Sequence, residues 1–193
     1  IKEDYLLEAK KIRVFETLLL DLFEQDKISG TVHTCVGQEL TGVVLSQYLE
    51  EQDHIVSNHR GHGHYLSRTK NYPGLLSELM GKESGCSKGV GGSQHTYFKN
   101  FLTNGIQGGM IPIATGIALN FKKSNKGISI AFIGDGTLGE GIIYEAINIA
   151  ANWGLPLMIV IENNQYAQST SFGTAFSGDI ENILLFIWYI SSL

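Results

Sequence analysis

Six residues, Ile128 to Ile133, are apolar apart from Ser129 and run directly into Gly134-Asp135-Gly136-Thr137-Leu138-Gly139. Tyr144, Ile147 and Ala151 then recur at helical spacing, Pro156 breaks the pattern, and Leu157 to Ile161 forms a second apolar run. A run without polar alternation is what a strand buried on both faces requires, so the segment reads as strand, helix, strand. Such a unit closes almost only as a right-handed crossover between parallel, commonly adjacent, strands. Asp135 and Asn164, which are 29 positions apart, therefore leave the C-terminal ends of strands on one edge of the sheet, where open α/β folds bind their ligands.

The first half of the chain is consistent with helices packed near such a sheet. Ile12, Phe15, Leu18, Leu19, Leu22 and Phe23 predict an amphipathic helix over about residues 5–23, and Leu40, Val43, Val44 and Tyr48 predict a second. His54 to Ser57 predicts a short strand leading into His59-Arg60-Gly61-His62-Gly63-His64, followed by short helices and a glycine-rich stretch from Gly81 to Gly92. An apolar helix is expected from Ile111 to Phe121. With three prolines and no repeat or low-complexity block, nothing marks a linker, and the 193 residues read as one α/β domain. The net charge of -5 provides no overall positive field for a nucleic-acid backbone or an anionic membrane. The longest apolar run, Ile183 to Ile190, has 8 residues, against about 20 needed to span a bilayer. Cys35 and Cys86 stand apart and read as free thiols of a reducing compartment. From Ile1 to Lys11 neither a signal-peptide core nor an Arg/Ser-rich transit pattern is present, so the expected location is the cytoplasm, or the mitochondrial matrix if a leader has been removed.

The loop after the first strand admits two chemistries. Gly134-x-Gly136-x-x-Gly139 fits a Rossmann dinucleotide fingerprint, with Glu162 as the acid for a ribose, which would make the protein an NAD(P)-binding oxidoreductase. Asp135 opposes that reading, because its carboxylate lies inside the loop that would wrap a pyrophosphate and like charges in a confined site repel. A divalent cation removes the conflict: magnesium takes about six oxygens, usually a few from protein and the rest from phosphate and water. Asp135, the Asn164 amide oxygen and a nearby backbone carbonyl could supply the protein's share, with the N–H groups of Gly136 and Thr137 meeting the phosphates at the start of the following helix.

The pair Gly134-Asp135-Gly136 and Glu162-Asn163-Asn164 resembles the cofactor motif of thiamine-diphosphate-dependent enzymes. Thr34-Cys35-Val36-Gly37-Gln38-Glu39, His59-Arg60-Gly61-His62-Gly63, Gly85-Cys86-Ser87-Lys88-Gly89, Gly91-Gly92-Ser93 and Asn104-Gly105-Ile106 occur in the order found in alpha subunits of 2-oxo acid dehydrogenases of the pyruvate, acetoin and branched-chain type. The match covers about residues 8–178, and Gly134 to Gly141 is most similar to the acetoin and pyruvate members.

The resemblance implies a thiamine-diphosphate-binding fold, with a parallel sheet flanked by helices. By motif position, Asp135 and Asn164 hold Mg2+ through their side chains and Tyr166 through its carbonyl, while Gly136 and Thr137 face the diphosphate. Arg60 grips the diphosphate, His59 stands where many members carry a tyrosine, and Gly105 and Gln107 hold the aminopyrimidine through the backbone. His33 matches a histidine that meets the 2-oxo acid; Glu39 either caps the second helix or touches ligand. His62, His64 and His95 have no assigned role, and a zinc site from His59, His62 and His64 is the weaker reading, since no cysteine joins them.

The implied activity is decarboxylation of a 2-oxo acid, or cleavage of acetoin, with transfer of the acyl group to a lipoyl-bearing acyltransferase. The glutamate that activates the cofactor belongs to a separate beta subunit in an α2β2 assembly, so this chain is expected to carry half an active site. The alternative within the family is a non-catalytic remnant of the alpha subunit. The resemblance stops at about Asp179, so residues 179–193 depart from the family and a C-terminally incomplete domain is expected.

Overall fold

In the computed structural model, residues 2–28 and 30–182 are described, so the apolar Ile183–Ile190 run and its expected consequences lie outside the described residues. In chain order the elements are α1 (Glu3–Glu24), α2 (Glu39–Ser46), β1 (His54–Ser57), α3 (His62–Thr69), α4 (Tyr72–Leu79), β2 (Tyr97–Phe98), β3 (Phe101–Thr103), α5 (Met110–Ser124), β4 (Ser129–Gly134), α6 (Gly141–Asn152), β5 (Leu157–Glu162), β6 (Tyr166–Ala167), β7 (Thr170–Ser171) and α7 (Phe172–Ala175). They sort into two compact units: Ile1–Glu51 with His59–Gly105, and Gln52–Asn58 with Ile106–Leu193. Among the described residues no helix is long and apolar enough to cross a membrane.

Helices dominate the first unit. Along α1 the buried stripe is Ile12, Phe15, Glu16 and Leu19, the i, i+3, i+4, i+7 spacing of one helix face, with a carboxylate in its middle. Leu18 and Phe23, part of the apolar pattern, are instead exposed, and Tyr48 lies beyond the end of α2 and is also exposed. Such exposed apolar side chains are ordinary on a long helix. α2 packs on α1 and α3, and the approach to α3 depends on Gly42, where a Cβ would come within 2.9 Å of the His64 ring. β2 and β3 form an antiparallel hairpin in which Tyr97 is opposite Leu102.

The second unit contains the βαβ segment. β1, β4 and β5 are parallel, with β4 between the other two; Ile55 is opposite Ile130, and β4 pairs with β5 from Ser129↔Leu157 to Gly134↔Glu162. α5 lies against β1 and β4 and packs on α6. β4 is buried from Ser129 to Ile133, as its apolar run requires. β5, the edge strand of the described sheet, is not buried on both faces: most of it is half-buried and Met158 is 42% exposed. Both cysteines are free thiols.

Candidate functional site

In the second unit the register places Gly134 opposite Glu162, so Asp135 begins just past the end of β4 and Asn164 lies two residues past the end of β5. Asp135 is 1% exposed, and its Oδ2 has no hydrogen-bond partner. A carboxylate oxygen buried without a donor is strongly disfavoured unless a cation or donor meets it. That orphaned oxygen fits a magnesium ligand, and the amide oxygen and backbone carbonyl that the resemblance assigns beside it are the kind of oxygen donor magnesium selects.

Local structure departs from the expected strand-to-helix step. Asp135–Gly139 forms a 3-10 turn, and α6 begins only at Gly141. The Gly136 and Thr137 N–H groups therefore belong to that turn and lie ahead of the first turn of α6, so its dipole is not centred on them. Glycine at 136 is a packing requirement: a Cβ there would come within 2.4 Å of Ala167 Cβ, so the β6–β7 hairpin rests directly on the turn. Asn164 is exposed, and its Oδ1 accepts the Tyr166 N–H at 3.0 Å, a local turn that orients the amide. Tyr166 is itself 58% exposed.

Glu162, considered as a ribose acid, is 9% exposed and accepts from Asn58 Nδ2 at 3.3 Å, so it is engaged at the strand ends. Both Glu140 oxygens accept the Gly108 N–H at 3.1 Å, which fixes the loop carrying Gln107, while the Gln107 carbonyl accepts the Met110 N–H as α5 begins.

In the first unit the His33 and His59 rings meet edge to face, 4.8 Å between centroids. Burial, then the nearby Arg60 charge, holds the His33 imidazole below the usual histidine range. Arg60 donates from Nη1 to the Thr34 carbonyl at 2.8 Å, so one arm of its fork is committed to protein. Gly105 is closely overlain: a Cβ there would come within 2.5 Å of Gln94 Oε1.

Glu39 caps α2. Its oxygens accept the Gly37 N–H at 3.1 and 3.2 Å and pair with Arg13. Burial alone would push its carboxyl up, but the Arg13 and Gly37 hydrogen bonds outweigh burial and hold it below the usual range. His62 and His64 are buried at the start of α3, His95 is exposed, and no described cluster of His, Cys, Asp or Glu has metal-binding geometry. The His59, His62 and His64 zinc reading has no support, because both His62 nitrogens meet protein partners, Glu16 Oε1 at 3.0 Å and Ser93 Oγ at 2.9 Å.

Sequence reasoning misses Glu16, Ser93 and Glu78. Glu78 is 1% exposed and accepts four backbone N–H groups of the glycine-rich loop: Ser87 at 2.6 Å, Gly89 at 2.9 Å, Gly91 at 2.7 Å and Gly92 at 3.1 Å. Its only sequence signal is an acid on an apolar helix just before a loop rich in glycine.

A family model described as Dehydrogenase E1 component matches residues 8–180. The chain is 40% identical over 173 residues to the alpha subunit of acetoin:2,6-dichlorophenolindophenol oxidoreductase from Bacillus subtilis, covering 88% of this chain and 52% of that protein. It is 37% identical over 178 residues to the pyruvate dehydrogenase E1 component subunit alpha of Rickettsia bellii, covering 89% of this chain and 55% of that one. To the somatic mitochondrial form of the same subunit from Homo sapiens it is 39% identical over 169 residues, covering 86% and 43%. The chain thus spans about half the length of the curated relatives it matches. A solved structure of a Mycobacterium smegmatis protein assigned as a thiamin diphosphate-dependent enzyme superposes with a TM-score of 0.52 at 22% identity, over 77% of this chain and 25% of that one, which shows the shared fold. With the motifs from Thr34 to Asn164 falling inside the matched span, the chain belongs to the dehydrogenase E1 component family.

Proposed function

We propose that this chain is the cofactor-holding part of the alpha subunit of a thiamine-diphosphate-dependent dehydrogenase acting on a pyruvate-like 2-oxo acid or on acetoin. The observation that carries the reading is Asp135, a buried carboxylate with an unpartnered oxygen at the end of β4, next to the loop that follows β5. Asp135, Asn164 and the Tyr166 carbonyl hold Mg2+, and the Gly136 and Thr137 N–H groups face the diphosphate. By motif position, Arg60 and His59 also serve the diphosphate, and Gly105 and Gln107 serve the aminopyrimidine through their backbones.

When bound, thiamine diphosphate supplies the electron sink that decarboxylation of a 2-oxo acid needs. The chain's own residues bind and orient. Asp135 would hold the metal, whose positive charge would offset that of the diphosphate. Arg60 offers the planar donor fork that suits a phosphate. His33, held neutral by burial and by Arg60, can accept a hydrogen bond or a proton at a ring nitrogen facing the substrate. The activating glutamate comes from a beta subunit, and the acyl group passes to a lipoyl-bearing acyltransferase. The family membership and the acid in the fingerprint loop favour this reading over an NAD(P)-binding oxidoreductase.

Calorimetry tests it: thiamine diphosphate should bind only with Mg2+ present, and Asp135→Ala should lose that binding, because the neutral oxygens left cannot hold the ion against water. Binding of NAD, or magnesium-independent binding of thiamine diphosphate, would refute the assignment. A 2-oxo acid panel and acetoin, assayed with the beta subunit present, would separate a working subunit from a non-catalytic remnant.

A further inference from the structure

Glu16 is wholly buried in the apolar stripe of α1, where a carboxylate is tolerated only if its oxygens are met. Its partners are specific. Oε2 accepts the Cys35 N–H at 3.0 Å, and Oε1 meets His62 Nδ1 at 3.0 Å. The other His62 nitrogen, Nε2, meets Ser93 Oγ at 2.9 Å, and Ser93 Oγ accepts the His33 N–H, at a longer 3.4 Å. His62 is 1% exposed and Ser93 is 6% exposed.

One assignment of protons satisfies every group. His62 donates from Nδ1 to the Glu16 carboxylate, Ser93 donates from Oγ to Nε2, and the Ser93 lone pairs take the His33 N–H. The chain of three side chains therefore begins and ends on one short backbone segment, gripping it at His33 and at Cys35. Arg60 grips the same segment from the Thr34 carbonyl between them. Close packing reinforces the arrangement: a Cβ on Gly63 would come within 2.8 Å of Cys35 Sγ, so α3 can seat against the segment only with glycine there.

The carboxylate, imidazole and hydroxyl repeat the residue types of a hydrolytic triad, but Ser93 is buried and its oxygen is occupied by His33, so a substrate carbonyl has no approach to it. We infer that Glu16, His62 and Ser93 are positioning residues: they form a buried hydrogen-bonded chain that fixes the His33–Cys35 backbone and thereby sets the direction in which the His33 ring faces its substrate. The inference rests on the reading of His33 as the substrate-facing histidine.

The test uses the alpha chain assembled with its beta subunit, pyruvate as the probe substrate, and three variants: Ser93→Ala, His33→Ala and both together. Ser93→Ala removes one oxygen and leaves the cofactor residues in place. It should lower kcat by about tenfold or more, the scale on which small displacements of a reacting group act. Thiamine diphosphate affinity, measured by calorimetry, should change by less than about twofold. On the His33→Ala background the same change should have no further effect, because residues acting as one unit are not additive.

Full turnover by Ser93→Ala alongside an impaired His33→Ala overturns the positioning role while leaving the role of His33 intact. So does a multiplicative loss in the double variant. Full turnover by His33→Ala refutes the substrate role and the positioning role with it. If Ser93→Ala does not fold, hydrogen exchange of the wild-type complex decides: the His33 and Cys35 amides should both be strongly protected, and exchange of His33 at the rate of an open loop overturns the inference.

Discussion

Replacing Glu78 by Gln changes one atom and should disorder a loop. The carboxylate accepts four backbone N–H groups, two on each oxygen, from Ser87, Gly89, Gly91 and Gly92. An amide of the same shape keeps one acceptor oxygen and turns an NH2 group toward the other two donors, so two N–H groups lose their partner and face a donor instead. Hydrogen bonds to a charged group contribute about 1.5–3 kcal/mol each, so two lost bonds amount to about 3 kcal/mol at the low end. For a chain of this length that corresponds to a fall in Tm of roughly 6–12 °C. The backbone is held close: a Cβ at Gly85 would come within 2.6 Å of Glu78 Cα, which leaves little room for the loop to retreat from the amide. Thermal melting of Glu78→Gln beside wild type measures the effect, and amide exchange at Ser87, Gly89, Gly91 and Gly92 localises it. A Tm within about 1 °C of wild type with unchanged exchange would refute the reasoning, since it would mean that the two lost bonds add nothing beyond what water supplies.

Four further outcomes are expected. The imidazole of His33 should titrate below about 6.5, its unperturbed value, and Arg60→Gln should move the midpoint upward in an NMR titration; an unmoved midpoint would remove Arg60 as a cause. Because a depressed histidine binds its proton more readily when unfolded, the stability contributed by neutral His33 is present above the unfolded value and lost as pH falls through the depressed folded one, visible in melts across that window. Gly136→Ala should displace the β6–β7 hairpin from the 3-10 turn and destabilise by about 1–3 kcal/mol in urea unfolding, with weaker magnesium-dependent binding of thiamine diphosphate. Tyr144→Phe removes the donor to the Leu138 carbonyl at 2.7 Å and should destabilise by about 1 kcal/mol, with a null result showing that water replaces the hydroxyl there.

The strand, helix and strand around Asp135 were legible because period and length settle them: β4 and β5 begin and end within one residue of their apolar runs. The 3-10 turn was not, since Gly-Asp-Gly is equally compatible with a direct entry into a helix, and the deciding contact, Gly136 against Ala167, joins residues 31 apart. Burial of β5 was overestimated for a related reason: the run specifies apolar faces but not what covers them. In the first unit, Glu16, His62 and Ser93 come from three separate segments, and no local spacing links them. The apolar stripe of α1 held the one hint, an acid at a position that periodicity assigns to the interior.

The Asx turn at Asn164 carries a consequence for how affinity and stability are linked. Its amide is directed by the Tyr166 N–H, Tyr166 belongs to the β6–β7 hairpin, and the hairpin is seated on Gly136. A cation held there would find an exposed ligand already oriented, so the ordering entropy of that side chain is spent during folding rather than at binding. Affinity for the ion would then track the opening equilibrium of a two-strand hairpin. Mild heat or low urea, enough to lift the hairpin from the turn while β4 and β5 stay paired, would loosen the metal well before the unit melts, and saturating magnesium would in turn hold the hairpin down.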